Sequence, residues 1–159
     1  MADDNKIVLT SEGFKRLQDE LSERKTTKTA EITARLAEAR AQGDLSENSE
    51  YDDAKEAQGL NADRIKEIEE ILKRAEVLSD DEISTKQIDV GSTFTLRDEE
   101  TKEETVYQLV EAAEQDIFAN KLSKDSPIGQ VIVGKKKGNV VEVSTVAGTF
   151  KYKIMKIGK

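Results

Sequence analysis

An acidic segment lies between two stretches that have the periodicity of helices. Five of the ten residues 44–53 are Asp or Glu, and no basic residue lies between Arg40 and Lys55. Asp44 and Glu47 are three positions apart, so their carboxylates can point the same way across a turn. Mg²⁺ commonly takes one or two protein carboxylates together with water and phosphate oxygens. The pair is therefore a candidate Mg²⁺ site, although it is too sparse to hold the ion tightly alone.

The same residues also have a purely structural interpretation. Asp44 with Glu47 fits a capping box, and Ser46 could cap a helix instead, which would leave Glu47 and Glu50 to interact with the helix dipole. The two interpretations are compatible, because a carboxylate can cap a helix in the free protein and bind metal in a complex. Leu45 is an apolar residue at an exposed turn, which favours a pocket on a partner, although single exposed apolar residues are common.

The composition excludes most other chemistry. The 159 residues include no His and no Cys, which rules out imidazole bases, thiol nucleophiles, disulfides and metal sites made of His or Cys. The net charge of −8 argues against coating nucleic acid by bulk attraction. No apolar run approaches the ~20 residues that span a membrane, and the N-terminus lacks a signal-peptide core. We expect a cytoplasmic protein with no membrane partner.

Two amphipathic helices are predicted on either side of the acidic segment. The first has Thr10 as its N-cap and apolar or small residues at mixed spacings of three and four until Gly43. The second repeats a heptad through Tyr51, Ala54, Gln58, Asn61, Ile65, Ile68, Leu72 and Ala75. Neither helix can bury its stripe alone.

One antiparallel register brings the two stripes together. It pairs Leu21 with Leu72, Leu17 with Ala75, and Ala39 with Ala54. We therefore predict an antiparallel coiled-coil hairpin over residues 1–78, with its acidic tip near residues 43–50. From Phe14 to Gly43 its length is ~45 Å at ~1.5 Å per residue.

Residues 79–159 read as a small sheet domain behind a polar linker at residues 79–89. Alternating patterns predict strands at 90–96, 105–110, 140–145 and 149–157. A short helix is predicted to begin with Ser126 as N-cap and Pro127 at its first position, and to end at Gly134. The expected fold class is α+β, with an antiparallel sheet packed on one short helix.

Three stretches of this chain resemble one family, in order and over nearly the whole length. Residues 39–51, continued by residues 54–56, look like the tip signature of bacterial transcript cleavage factors of the GreA type, in the Gre family. Residues 9–13 with Leu17, Glu20 and Leu21 resemble the family's N-terminal motif. Residues 126–129 followed by Gly134 and Lys135 resemble its C-terminal motif.

The resemblance implies a concrete function. The C-terminal domain would be FKBP-like and would dock on the rim of the secondary channel of bacterial RNA polymerase, through Asp125, Ser126 and Pro127. The coiled coil would enter the channel, and Asp44 and Glu47 would help the polymerase hold a second Mg²⁺. The polymerase would then hydrolyse the backtracked RNA near its 3′ end. The protein alone would be no nuclease.

Further roles follow from the resemblance, each with a structural alternative. Tip support would come from Leu45, Ser46, Asn48 and Tyr51, of which Ser46, Asn48 and Tyr51 read equally well as cap, turn former and seam residue. A path for the RNA 3′ end would be lined by Arg24, Lys28 and Arg35. The alternative for these three basic residues is a solvated helix face with acidic neighbours.

Three other functions stay open from the sequence. A regulator that occupies the polymerase channel and inhibits without cleavage would share the fold. A prolyl isomerase is disfavoured, because residues 90–157 hold too few aromatic residues for a convincing proline pocket. A plain coiled-coil adaptor would leave the acidic tip unexplained. We expect a monomer, since the hairpin satisfies its own seam.

Overall fold

The computed structural model describes residues 6–43 and 48–159, which form two compact units. One unit is Phe14–Arg74. The other combines the described residues up to Gly13 with Ala75–Lys159. The predicted boundary lay at residue 78. In the structure, the described residues before Phe14 and those from Ala75 onwards belong to the unit that contains the larger sheet. No helix within the described residues is long and apolar enough to cross a membrane.

The helical unit is built from two long antiparallel rods. The first consists of α1 (Ser11–Glu23), a π turn (Arg24–Lys28) and α2 (Thr29–Ala41), and the second is α3 (Ser49–Arg74). α2 and α3 enclose a small core of Ile32, Leu36 and Ala54, against which Tyr51 and Ala57 pack. Gln58 is exposed, so Ala57 takes the seam position that the heptad had assigned to Gln58.

A two-stranded parallel sheet flanks the helices in sequence. β1 (Ile7–Thr10) pairs with β2 (Ala75–Leu78), so that Ile7 lies opposite Ala75 and Thr10 opposite Leu78. The sequence did not predict these strands, because four residues adjoining a helix give little alternation to detect. The predicted N-cap of the first helix is confirmed: Thr10 Oγ1 accepts a hydrogen bond from Gly13 N at 3.0 Å.

The larger sheet has five strands in the order β5-β4-β3-β7-β6. Its members are β3 (Thr93–Asp98), β4 (Glu104–Val110), β5 (Lys121–Ser123), β6 (Val140–Thr145) and β7 (Gly148–Gly158). The four predicted strands are present and antiparallel. The expectation of a wholly antiparallel sheet is wrong, since the three-residue β5 pairs in parallel with β4.

The core of this unit includes a residue that had been assigned to a linker. Ile88 is fully buried with Phe94, Leu96, Leu109, Ile132, Val141 and Ile154. Ile88 N also donates to Lys135 O at 2.9 Å. Residues 79–89 are therefore not a free linker, because they hold a 3₁₀ turn (Asp80–Glu82) and contribute to the core.

The predicted short helix is confirmed as α4 (Pro127–Ile132). Ser126 Oγ accepts a hydrogen bond from Gly129 N at 3.1 Å, and Pro127 occupies the first helical position. Gly134 follows the helix end with φ of +80°. α4 packs through Ile132 into the sheet core.

Candidate functional site

The hairpin tip is the first candidate site, and the structure describes its base. Asp44, Leu45, Ser46 and Glu47 lie outside the described residues, so their assigned roles stay predictions. Asn48 and Tyr51 lie within them. What the structure adds is therefore the contacts of Asn48 and Tyr51, which follow the acidic residues in the sequence.

Asn48 joins the ends of the two rods. Its Oδ1 accepts a hydrogen bond from Tyr51 N at 3.1 Å, and its Nδ2 donates to Ala39 O at 2.7 Å. Because α3 begins at Ser49, Asn48 is the N-cap of this helix. Asn48 therefore holds the N-cap position for which Asp44 and Ser46 had been the candidates, and the roles of those two residues, which lie outside the described ones, stay predictions.

Tyr51 anchors the same base. The side chain is half-buried against the core of Ile32, Leu36 and Ala54. The Arg40 guanidinium carbon lies 5.8 Å from the centre of the Tyr51 ring, within the range of a cation–π contact. Asn48 and Tyr51 therefore fix the position at which the chain leaves α2 and enters α3.

Charged side chains surround a hollow beside this base. Arg35, Glu38, Gln42, Glu50 and Asp53, with Ala39, line a cavity of about 340 Å³. Within the described residues, no group of three or more acidic side chains is placed to hold a metal ion. Three carboxylates and one guanidinium line the hollow, which gives it a net negative charge.

The three basic residues assigned to an RNA path differ in their surroundings. Arg24 is half-buried, with its Nε 2.7 Å from Glu20 Oε2 and its Nη1 3.2 Å from Asn61 Oδ1. Lys28 and Arg35 are exposed. Arg24 therefore holds the hairpin together, and an RNA path along all three residues stays a prediction.

Glu20 lies at the centre of an ion cluster between the rods. Arg64 donates to it twice, from Nε at 2.9 Å and from Nη2 at 3.0 Å. The pKa of Glu20 is lowered from 4.5 to about 2, chiefly by the hydrogen bond from Arg64; burial opposes the shift and Arg24 adds to it. Glu20 raises the pKa of Arg64 in turn.

The second candidate site is the loop before α4. Asp125 N donates to Ser123 Oγ at 3.0 Å, and Gln130 Nε2 donates to Asp125 O at 3.0 Å. Ser126 Oγ donates to Ser123 O at 2.6 Å while it caps α4. The loop that carries Asp125, Ser126 and Pro127 is thus held on both sides and presents a fixed surface.

An apolar pocket adjoins this loop. It measures about 310 Å³ and is lined by Tyr107, Leu122, Pro127, Ile128, Val143, Thr145, Phe150 and Tyr152. Three aromatic residues meet in this pocket, and the expectation that residues 90–157 hold too few of them for a proline pocket stays a prediction. The alternating positions of these aromatic residues along β4 and β7 could have predicted that they share one face of the sheet. Burial raises the pKa of Tyr152, and Asp98 and Tyr107 add to the effect.

Sequence reasoning missed a buried carboxylate next to β1. Glu114 accepts hydrogen bonds from Thr10 N at 2.8 Å and from Thr10 Oγ1 at 2.7 Å. Nearby on β5, the buried Lys121 Nζ lies 3.8 Å from Glu12 Oε1. Thr10 and Glu114 are 104 positions apart in the sequence, so no local pattern could have revealed this contact.

Comparisons with known proteins cover both halves of the chain. Residues 7–77 match the family model described as "Transcription elongation factor, N-terminal". Residues 83–159 match the one described as "Transcription elongation factor, GreA/GreB, C-term".

Individual relatives match over nearly their full lengths. Transcription elongation factor GreA of Thermoanaerobacter pseudethanolicus is 46% identical over 153 residues, which cover 96% of this chain and 98% of that protein. The GreA of Phenylobacterium zucineum is 45% identical over 152 residues, 96% of this chain and 97% of its own. Among solved structures, the GreA factor homolog 1 (Gfh1) protein of Thermus thermophilus matches with 27% identity and a TM-score of 0.45, over 97% of this chain and 99% of that one.

Proposed function

Because the chain belongs to the GreA/GreB family of transcription elongation factors, we propose that it rescues backtracked bacterial RNA polymerase by stimulating transcript cleavage. The polymerase supplies the catalytic centre, and this chain is an accessory factor. It works in the cytoplasm as a monomer and is no nuclease alone. The observation that carries the proposal is the acidic segment 44–53, set at the far end of two long helices.

The helical unit has the dimensions that this role needs. α3 alone contains 26 residues, which span about 39 Å at ~1.5 Å per residue. A rod of that length, in an antiparallel coiled-coil hairpin, reaches a buried active site through the secondary channel. The base formed by Asn48 and Tyr51 orients the tip, Leu45 and Ser46 complete it, and Lys28 and Arg35 line the path of the RNA 3′ end.

The chemistry at the tip rests on two carboxylates. Asp44 and Glu47 offer oxygen ligands to a Mg²⁺ that they share with the polymerase. In two-metal hydrolysis of a phosphodiester, metal ions stabilise both the attacking and the leaving oxygen. Because Asn48 is the N-cap of α3, the metal role of the two carboxylates does not compete with that cap.

The C-terminal unit supplies the docking surface. We assign it an FKBP-like fold that binds the rim of the secondary channel through Asp125, Ser126 and Pro127. Support comes from the hydrogen bonds that hold this loop rigid and from the apolar pocket that shares Pro127 with it. A rigid loop beside an apolar pocket loses little conformational entropy when it binds.

The test uses a backtracked elongation complex with 3′-labelled RNA and Mg²⁺. The chain should release short labelled fragments, and the Asp44→Asn/Glu47→Gln double variant should release none while it still binds polymerase. The matched control, Glu31→Gln/Asp63→Asn, removes the same charge from exposed helical positions outside the acidic segment and should cleave normally. Cleavage by the Asp44/Glu47 variant at the normal rate would contradict the metal role.

One outcome would instead support the runner-up function, a regulator that inhibits without cleavage. The chain would then bind polymerase and slow elongation, and no fragment would appear with any variant.

A further inference from the structure

The two rods of the hairpin differ by one residue in their repeat. On α3 the buried positions Ala54, Asn61 and Ile68 are seven residues apart. On the first rod the inward positions are Leu17, Arg24, Ile32 and Ala39, with Arg24 half-buried and the others buried. These are separated by seven, eight and seven residues, so the first rod carries one extra residue between Arg24 and Ile32.

The π turn absorbs this extra residue. It spans Arg24–Lys28, within the eight-residue interval, and the chain is helical on both sides, with φ and ψ of −61° and −44° at Glu23 and of −62° and −42° at Thr29. A π turn has i→i+5 hydrogen bonds in place of the i→i+4 bonds of an α-helix, so it accommodates one additional residue. Ile32, Leu36 and Ala39 therefore stay on the same face of the rod as Leu17 and Arg24.

One side chain of α3 holds the π turn from across the seam. Asn61 is 5% exposed, and its Nδ2 donates to Arg24 O and to Thr29 Oγ1, each at 3.2 Å. Its Oδ1 accepts from Arg24 Nη1 at 3.2 Å. Thr29 Oγ1 also donates to Arg24 O, at 2.6 Å. The Asn61 amide thus binds Arg24, the first residue of the π turn, through both its oxygen and its nitrogen, and Thr29, the residue that follows the turn, through its nitrogen.

We propose that Asn61 is a positioning residue that confines the extra residue to Arg24–Lys28 and so fixes how the tip-proximal half of the hairpin pairs. A buried polar group at a seam position is a known way to specify register. If the extra residue moved past Ile32 towards the tip, that side chain would rotate by about 100° from the seam. A further shift past Ala39 would displace the carbonyl that holds Asn48 at the base of the tip.

A thermodynamic cycle tests this assignment. Thr27 is an exposed residue inside the π turn, and deleting it restores the seven-residue spacing and an ordinary α-helix. With the π turn present, Asn61→Leu should raise the unfolding equilibrium constant about tenfold, because buried polar groups lose their partners. In the Thr27 deletion the same substitution should lower that constant, because an apolar side chain suits a regular seam better.

Ile68→Val is the matched control, since it trims an apolar seam residue and should destabilise both backgrounds alike. Only the assigned role predicts that Asn61→Leu raises the unfolding equilibrium constant with the π turn present and lowers it in the Thr27 deletion. Destabilisation by Asn61→Leu in both backgrounds would overturn the proposal.

A distance measurement reports the pairing itself. The chain has no cysteine, so single cysteines at the exposed positions Glu38 and Lys55 would accept one pair of spin labels. The wild type should give one narrow distance, Asn61→Leu a shifted or broadened one, and the Thr27 deletion should restore the narrow distance to Asn61→Leu. An unchanged distance in Asn61→Leu would also overturn the proposal.

The consequence for polymerase rests on the proposed function. Asn61→Leu should lower the maximal cleavage rate, leave the half-maximal concentration unchanged, and recover when Thr27 is deleted. A lowered affinity with an unchanged maximal rate would contradict the positioning role. If the wild type itself stimulates no cleavage, the proposed function fails, while the cycle and the distances still decide the role of Asn61.

Discussion

Asn48 uses both ends of its amide to connect the last turn of α2 with the start of α3. Asn48→Ala removes both hydrogen bonds and should lower the free energy of unfolding by about 1–2 kcal/mol. Asn48→Asp keeps the acceptor for Tyr51 N but loses the donor to Ala39 O, so it should cost less. Urea unfolding followed by circular dichroism measures both. Equal losses would mean that the acceptor for Tyr51 N contributes nothing and that the bridge to Ala39 accounts for the whole loss.

Glu20 makes the stability of the hairpin depend on acid. Its folded pKa of about 2 lies below its usual 4.5, so the ionised carboxylate stabilises the folded state above about pH 4.5. That contribution is lost as the pH falls from 4.5 towards 2. Glu20→Gln should cost about 1 kcal/mol at pH 7, given its partial exposure, and should flatten the pH dependence in this window.

Asp19 provides the control for that measurement. Its ion pair with Lys15 is 3.0 Å long but largely exposed, and such pairs contribute little. Asp19→Asn should therefore leave the unfolding curve at pH 7 nearly unchanged. A Glu20→Gln protein that loses stability on acidification as steeply as the wild type would contradict the assignment.

Caps show what sequence could reveal at the scale of single residues. Thr10 and Ser126 were predicted as N-caps because each is followed within three residues by the rest of a start signal. At the tip, Asp44, Ser46 and Asn48 are all good caps within five positions, and local preference could not choose among them. In the structure Asn48 is the cap, and its amide also donates to Ala39 O, a tertiary contact that local sequence does not reveal.

At the scale of elements, α4 depends on one close approach. A Cβ on Gly129 would collide with Ser123 O and would lie 2.9 Å from Lys124 Cα. Both neighbours are backbone atoms, so Gly129→Ala should destabilise the C-terminal unit by about 1–3 kcal/mol. Displacement of α4 should also weaken polymerase binding, since the docking loop leads into it.

A second glycine offers the matched comparison. Gly59 lies on the exposed face of α3, and nothing lies within 4 Å of a Cβ placed there. Gly59→Ala should stabilise the hairpin by about 0.5–1 kcal/mol through helix propensity. Thermal unfolding of both variants checks the pair, and a Gly129→Ala protein as stable as the wild type would show that α4 can shift freely.

Elements were predictable where a pattern ran long enough. The heptad in α3 and the alternation in β3, β4, β6 and β7 extend over several repeats, and all were anticipated. β1, β2 and β5 are three or four residues long and pair with distant segments. The π turn was equally hidden, because an eight-residue interval in a polar stretch looks like an ordinary irregularity of an amphipathic helix.

At the scale of the whole molecule, the helical unit is an insertion between β1 and β2. The remaining unit has its own core around Phe94 and Ile154, and Glu114 binds Thr10 within it. Parallel strands need a connection of about a dozen residues. Replacing residues 14–74 with a Gly/Ser linker of that length should therefore leave a unit that unfolds in one cooperative transition.

Function should divide in the same way. The shortened protein keeps Asp125, Ser126 and Pro127 and the adjoining pocket, so it should bind polymerase and compete with the full chain. It lacks Asp44 and Glu47, so it should release no RNA fragment and should inhibit cleavage by the full chain as its concentration rises. Adding Pro127→Ala to the shortened protein should weaken that inhibition, because it removes an apolar contact from the proposed docking surface. Both shortened forms lack the tip, so the comparison reports docking alone. Inhibition of equal strength by both forms would place the contact with polymerase elsewhere on the unit.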